Sequence, residues 1–259
     1  VKDCPQGIVS LAFGLPTISA ENEPRCIRCQ HCFAVCPNGA VSILGKNPEA
    51  SLPLPGVLPD PEQLETMMKA RRAIRQYREE NLEPELLQKL LEVACYAPSG
   101  RNCRKVRFTV VDDGAKLAGL RDEMIAGLVP MARAGKFAGP LAFLADFVSL
   151  WEKERLDFLF RGAPHLLITS APRDVVSQED TIIALSYFEM YARSQGIGTL
   201  WNGFGKLVIN DLLPEFRGRL GIPEDHVIGY TMAFGWPAVT YARTAQHGPP
   251  SVYRVGAEA

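Results

Sequence analysis

No apolar run in this chain reaches the roughly 18 residues expected of a membrane-spanning helix. The nearest candidate, Leu141 to Trp151, is short and interrupted by Asp146, so it reads as a core or subunit-interface helix. An excess of charge is also lacking: 28 Lys and Arg against 29 Asp and Glu leave a formal net charge of −1. That balance creates no field to attract nucleic acid or an anionic membrane, and neither is expected as a partner. No Gly-x-Gly-x-x-Gly fingerprint follows a strand pattern, which argues against a dedicated dinucleotide-binding domain. His31, His165, His226 and His247 are scattered, without the spacing of a zinc or nucleophile site. No secretory leader is legible.

Cysteine is what the chain does have, and in a pattern. Cys26-Ile-Arg-Cys29-Gln-His-Cys32-Phe-Ala-Val-Cys36-Pro37 places three thiols at intervals of three and a fourth four residues on. Three thiolates so spaced can turn inward from one tight loop, and the terminal Cys-Pro completes the run of a bacterial-type 4Fe-4S ferredoxin. Structural zinc sites more often use two separated pairs of ligands. Buried free thiols or disulfides would not explain the regular spacing. Using five of seven cysteines as ligands also suits a reducing, cytoplasmic setting.

The N-terminus repeats part of that run. Cys4-Pro5-Gln6-Gly7-Ile8-Val9-Ser10 recurs as Cys36-Pro37-Asn38-Gly39-Ala40-Val41-Ser42, a shift of 32 residues. The same shift would place counterparts of Cys26, Cys29 and Cys32 at positions −6, −3 and 0, just before Val1. The expectation is an interrupted internal repeat, preceded in the natural protein by a further Cys-x2-Cys-x2-Cys run. Crossed ligation would put Cys4 with Cys26, Cys29 and Cys32 on one cluster and leave Cys36 to a second.

Punctuation divides the chain into a cysteine-rich module (1–45), a Pro-rich linker (46–61) and a larger domain (62–259). The linker's prolines lack amide donors and fix φ, favouring an extended tether. Beyond it, Asp60-Pro61 reads as a helix start and Glu83 to Tyr96 as a second helix. Val106 to Val111, His165 to Thr169, Thr199 to Asn202 and Val227 to Phe234 read as strands. Ala115 to Phe160 reads as a helical region broken at Pro130 and at Gly139-Pro140. Ser177 to Gln195 reads as a helix widely buried through Ile182, Ile183, Leu185, Phe188 and Tyr191. The expected class is α+β, a modest sheet surrounded by helices.

Two segments suit a phosphate and a ring. Arg71-Arg72-Ala73-Ile74-Arg75 offers three guanidiniums at a helix end, able to fork onto phosphate oxygens. Ala97-Pro98-Ser99-Gly100-Arg101-Asn102 follows a helix and precedes a strand, with hydrogen-bonding tips on Ser99 and Asn102. Together with Gly196-Ile-Gly198-Thr-Leu-Trp-Asn-Gly203 and Gly229 to Pro237, followed by Tyr241-Ala-Arg243, these segments resemble the FMN-binding pattern of the nitroreductase superfamily over residues 62–245. With the cysteine module, the chain resembles a ferredoxin–nitroreductase fusion.

The resemblance implies a homodimer with FMN at the subunit interface and a mainly antiparallel central sheet. It implies that Arg71, Arg72, Ala73, Arg75 and Arg243 stand at the FMN phosphate and nearby polar groups, with Ala73 where the family often has serine. Pro98, Ser99, Gly100 and Asn102 would approach the flavin ring, from the partner subunit. Leu200, Trp201, Asn202 and Gly203 would line its other polar edge. Two further departures are Cys103-Arg104-Lys105-Val106 in place of Gln-Pro-Trp, and Tyr241 in place of lysine. Cys95 reads as core, and Cys103 as a packing thiol in preference to a redox group. No side-chain nucleophile or acid–base pair is expected, because chemistry would occur at flavin N5.

The resulting expectation is an oxidoreductase passing electrons from one or more 4Fe-4S clusters to FMN and on to a nitroaromatic, quinone-like or other electron-poor small molecule. Reduced ferredoxin or NAD(P)H would be the donor. An electron-transfer or redox-sensing protein with a protein acceptor, and a reductive dehalogenase or ene reductase, remain as alternatives.

Overall fold

A computed structural model describes residues 1–54, 56–173 and 178–256. The linker's Pro55 and the expected helix start at Ser177 lie outside those residues. The cysteine module holds two short antiparallel strands, β1 (Ser10–Ala12) and β2 (Leu15–Thr17), and one turn of helix, α1 (His31–Ala34). Helix α2 (Pro61–Ala70) then begins where the sequence places it. Asp60 Oδ1 accepts from the amides of Glu62 and Gln63, and Pro61 occupies the first turn, where an amide donor is not needed.

The remaining elements are α3 (Pro84–Ala94), β3 (Arg107–Val111), α4 (Gly114–Arg133), α5 (Phe143–Glu154), β4 (His165–Pro172), α6 (Gln178–Ser194), β5 (Gly198–Trp201), α7 (Gly203–Leu207), α8 (Glu215–Arg219) and β6 (His226–Gly235). The larger sheet runs β3-β4-β6-β5, and each neighbouring pair is antiparallel. Side chains alternate across it, except that β6 changes face between Ile228 and Tyr230, where a bulge shifts its register against Thr169 and Ser170. Leu166, Ile168 and Ile228 face a core with Met124 and Leu128 of α4 and Leu144 and Val148 of α5. Leu167, Met232 and Phe234 face the opposite core with Leu87 and Leu90 of α3 and Leu185 and Phe188 of α6. The expected helix-wrapped antiparallel sheet is therefore present.

Three expectations need correction. Helix α4 is not broken at Pro130 but runs to Arg133. A proline one turn from the end removes little of the ladder, and the chain instead turns at Gly135 (φ +67°), where Lys136 N–H reaches Met131 O. Cys95 is exposed, because α3 ends at Ala94 and Cys95 caps it away from the stripe formed by Leu87, Leu90 and Ala94. Ile182 is also exposed; on α6 the buried stripe passes instead through Thr181, Ala184, Leu185, Phe188, Glu189 and Ala192.

His165 opens β4 in full burial, and its Nε2 accepts from Leu82 N–H at 2.9 Å. Burial lowers the imidazole pKa, an effect that the nearby Asp112 and Asp113 only partly offset.

Candidate functional site

The cysteine module folds as two copies of one turn. Gly7 N–H bonds Cys4 O at 3.0 Å, and Gly39 N–H bonds Cys36 O at 3.2 Å. Both glycines are left-handed, at φ +62° and +58°, a conformation that glycine adopts without strain. Each turn aims amides at its cysteine sulfur. Burial pushes the Cys4 thiol up, but the amides of Ile8, Gln6, Val9 and Gly7 outweigh it and hold the thiol below its ordinary value. At Cys36 the Ala40 amide, 3.3 Å from Sγ, leads the amides of Asn38, Val41 and Gly39 in the same direction. The donors correspond position for position across the 32-residue repeat.

The two turns nevertheless face different surroundings. Cys4, Cys26, Cys29 and Cys32 line one pocket with Ile8, Val9, Ile18, Ile27 and Ile43, whereas Cys36 is not among its lining residues. Within that pocket Cys32 is raised, first by burial and then by the neighbouring thiols Cys29 and Cys26. All seven cysteines are free. Among the described residues no three His, Cys, Asp or Glu side chains are gathered to hold a metal ion. Four thiols around an apolar hollow, one of them with amides directed at its sulfur, are the type of donor that an iron–sulfur cluster takes, though they are not drawn together as a metal-ion site.

A second pocket lies at the end of α2. It is lined by Arg71, Arg72, Arg193, Gly198, Thr199 and Tyr241, among others. The segment after α2 reaches it by running beside β5: Ala73 bridges Thr199, and Ile74 N–H bonds Thr199 O at 2.9 Å. Gly198 permits that approach, since a Cβ there would fall 2.6 Å from Ile74 Cγ1. Arg72 Nη1 donates to Arg71 O, while Arg72 Nη2 is buried without a hydrogen-bond partner. An orphaned guanidinium nitrogen in a basic pocket suits an anionic oxygen such as phosphate.

Glu189 holds one wall of this region. Its Oε1 accepts from Thr199 Oγ1 at 3.0 Å and Arg71 Nη1 at 3.3 Å, and its Oε2 accepts from Trp201 Nε1 at 2.8 Å. The Trp201 indole is thereby oriented edge-on to Tyr230, with centroids 5.3 Å apart. Asn202 caps α7 through Gly205 N–H and donates to Leu159 O, both at 2.8 Å. Its side chain therefore organises the chain locally. Leu200 is half-buried and Gly203 exposed.

The other sequence candidates lie apart from the arginine pocket in this single chain. Arg75 is exposed, with Nη1 3.4 Å from Ala73 O, and Arg243 is exposed on the C-terminal segment. Neither they nor Pro98, Ser99, Gly100 and Asn102 line it. The 98–102 loop is fixed by Asp180, whose two carboxylate oxygens each accept from Gly100 N–H at 3.0 Å. Ser99 Oγ accepts from Arg104 N–H at 2.9 Å, and Asn102 Nδ2 donates to Ile27 O in the cysteine loop at 2.9 Å. Pro98 is exposed. Sequence reasoning missed Glu189, Asp180 and Arg193. The available signal was an acid inside the apolar stripe of α6, since a carboxylate so placed must find donors.

Comparison with known proteins falls on the larger domain. The nitroreductase family model matches residues 68–236. A protein of Archaeoglobus fulgidus provisionally named NADH dehydrogenase/NAD(P)H nitroreductase is 28% identical over 177 residues, spanning 68% of this chain and 86% of its own length. Its counterpart of the same name in Methanothermobacter thermautotrophicus is 29% identical over 172 residues, spanning 66% and 75%. The FMN-bound nitroreductase of Bacteroides fragilis shares the fold, with TM-score 0.59, 23% identity and coverage of 74% of this chain and 99% of that one.

Proposed function

The chain belongs to the nitroreductase family of oxidoreductases, and from that premise we propose that it is an FMN-dependent reductase receiving electrons through an iron–sulfur module in the same chain. The observation that carries this reading is the convergence of Cys4 with Cys26, Cys29 and Cys32 on one pocket, with Cys36 outside it. Bound there, a 4Fe-4S cluster supplies one-electron transfer. Bound in the larger domain, FMN links single-electron input to two-electron reduction of a small acceptor.

The chain's own groups do the rest. The amides around Cys4 favour its thiolate, the form that binds iron. Arg72, with one nitrogen unpartnered, and Arg193 favour the FMN phosphate, while Glu189 fixes Arg71 and Trp201 in register. Ala73, Arg75 and Arg243, together with Pro98, Ser99, Gly100 and Asn102, complete the flavin site in a homodimer. Dimerisation would also cover Leu64 and Met68 of α2 and Ile182 and Tyr187 of α6, which are exposed in the single chain. The acceptor is a nitroaromatic or quinone-like molecule, and the donor reduced ferredoxin or NAD(P)H.

Anaerobically purified protein is expected to contain both iron with acid-labile sulfide and FMN, and to reduce a nitroaromatic or quinone over many turnovers with one of these donors. Absence of flavin, or single-turnover behaviour with every donor, would overturn the reading. Arg72→Ala is expected to weaken FMN binding about tenfold or more, corresponding to loss of a charge-assisted bond of roughly 1.5–3 kcal/mol. Unchanged affinity by flavin titration would remove Arg72 from the site.

A further inference from the structure

The bond from Asn102 Nδ2 to Ile27 O joins a pocket-lining residue of the cysteine loop to a loop 75 residues away. Ile27 lies between two of the thiols, Cys26 and Cys29. We propose that Asn102 is a positioning residue that docks the cysteine loop on the larger domain and sets the efficiency of electron passage between them. This inference rests on the proposed function and assigns Asn102 a duty toward the cluster module beyond any contact with flavin.

Both sides of the contact are shaped for it. On the domain side, Asp180 grips Gly100 N–H with both oxygens, and Arg104 N–H closes the turn onto Ser99 Oγ. Arg101, Asn102 and Arg104 then take left-handed backbone at φ +52°, +56° and +51°. Such geometry is costly for arginine and tolerated by asparagine, and it is held by the surrounding bonds. On the module side, Arg28 and Gln30 are likewise left-handed, at φ +56° and +63°, so the loop that presents Ile27 O is itself sharply turned. Two constrained turns meet through one directional bond. The intervening linker is rich in prolines and, among its described residues, has no long helix or strand, so it offers little that would hold the module in register by itself.

The redox step is simple to balance. Each electron that left a reduced cluster would enter the flavin, with no bond formed or broken between them. Asn102 holds the separation and orientation through which that electron passes; it neither donates nor accepts it.

Asn102→Gly and Asn102→Asp test this in the full-length, iron- and FMN-loaded protein. Glycine keeps the left-handed backbone while removing the amide; aspartate keeps the shape while replacing the donor with an acceptor that repels Ile27 O. Iron, sulfide and flavin content are measured first. If the unmodified protein lacks either cofactor, the proposed function fails, and that failure is distinct from failure of the contact. Given loaded protein, amide exchange over residues 26–32 should accelerate about fivefold in both variants, as expected for loss of one partly exposed bond. After anaerobic mixing with dithionite, the phase in which the cluster reoxidises as flavin is reduced should slow several-fold, with the cluster's midpoint potential unchanged. Unaltered exchange over 26–32 in both variants would overturn the proposal. So would flavin loss without any change in module protection, which would make Asn102 a flavin contact alone.

Discussion

The cysteine module and the larger domain solve the problem of staying folded in opposite ways. Among the described residues before Ile74, the only buried hydrophobic ones are Ile8 and Val9, at 4% and 7% exposure. The larger domain instead packs two apolar clusters against the two faces of one sheet. Phe188, Phe234, Leu166, Leu167 and Ile168 are each wholly buried there. A segment with so small a core cannot offset its conformational entropy by burial, and small modules of this kind depend on metal or disulfides. With every cysteine free, no disulfide supplies that order, and the proposed iron–sulfur centre would be its source.

The largest effect should therefore come from stripping iron. Anaerobic chelation is expected to expose residues 1–45 to protease throughout, while the larger domain keeps its far-UV spectrum and thermal transition. A module that resists protease without iron would break the comparison. Within the larger domain, Phe188→Ala should cost about 3–5 kcal/mol, because it empties a site where Phe188 meets Phe234 edge-on at 5.1 Å. Urea unfolding measures that loss, and iron content per folded molecule should not change. Glu189→Ala should cost less, about 2–3 kcal/mol, by leaving Thr199, Trp201 and Arg71 without their shared acceptor. A double-mutant cycle with Trp201→Phe would show coupling, and additive losses would mean that the two side chains act independently.

The same contrast governs what the sequence disclosed. The repeated Cys-Pro-x-Gly segment was legible from residue order as a repeat, and because its turn is local chemistry both copies fold alike. The strands and helices of the larger domain were legible too, because burial imposes periods of two and 3.6 on them. Contacts across long sequence separation were not. Nothing near Gly100 signals that Asp180 holds it, and nothing near Arg71 signals Glu189. Cys95 misled because apolar periodicity continues past Ala94 in composition while the backbone has already left the helix. Pro130 misled because a proline's effect depends on its distance from the helix end, which only the structure supplies.

The smallest predicted effect separates the two regions by pH. His165 is buried against Phe234 and, as an acceptor for Leu82 N–H, must be neutral at Nε2. Burial holds its folded pKa below the ordinary value of about 6.5 that it regains on unfolding. The unfolded chain therefore binds the proton more readily. The stability contributed by His165 is complete above about pH 6.5 and declines as pH falls below that value toward the lower folded pKa. The slope cannot exceed about 1.4 kcal/mol per pH unit for one proton. His165→Gln retains an acceptor for Leu82 but cannot titrate, so urea unfolding between pH 7.5 and 5.5 should show a flatter dependence than in the unmodified protein. Glu65, Asp113 and Glu123 are held below the usual carboxylate range and stay ionised across that interval. An identical slope in the variant would mean that His165 is not the titrating group.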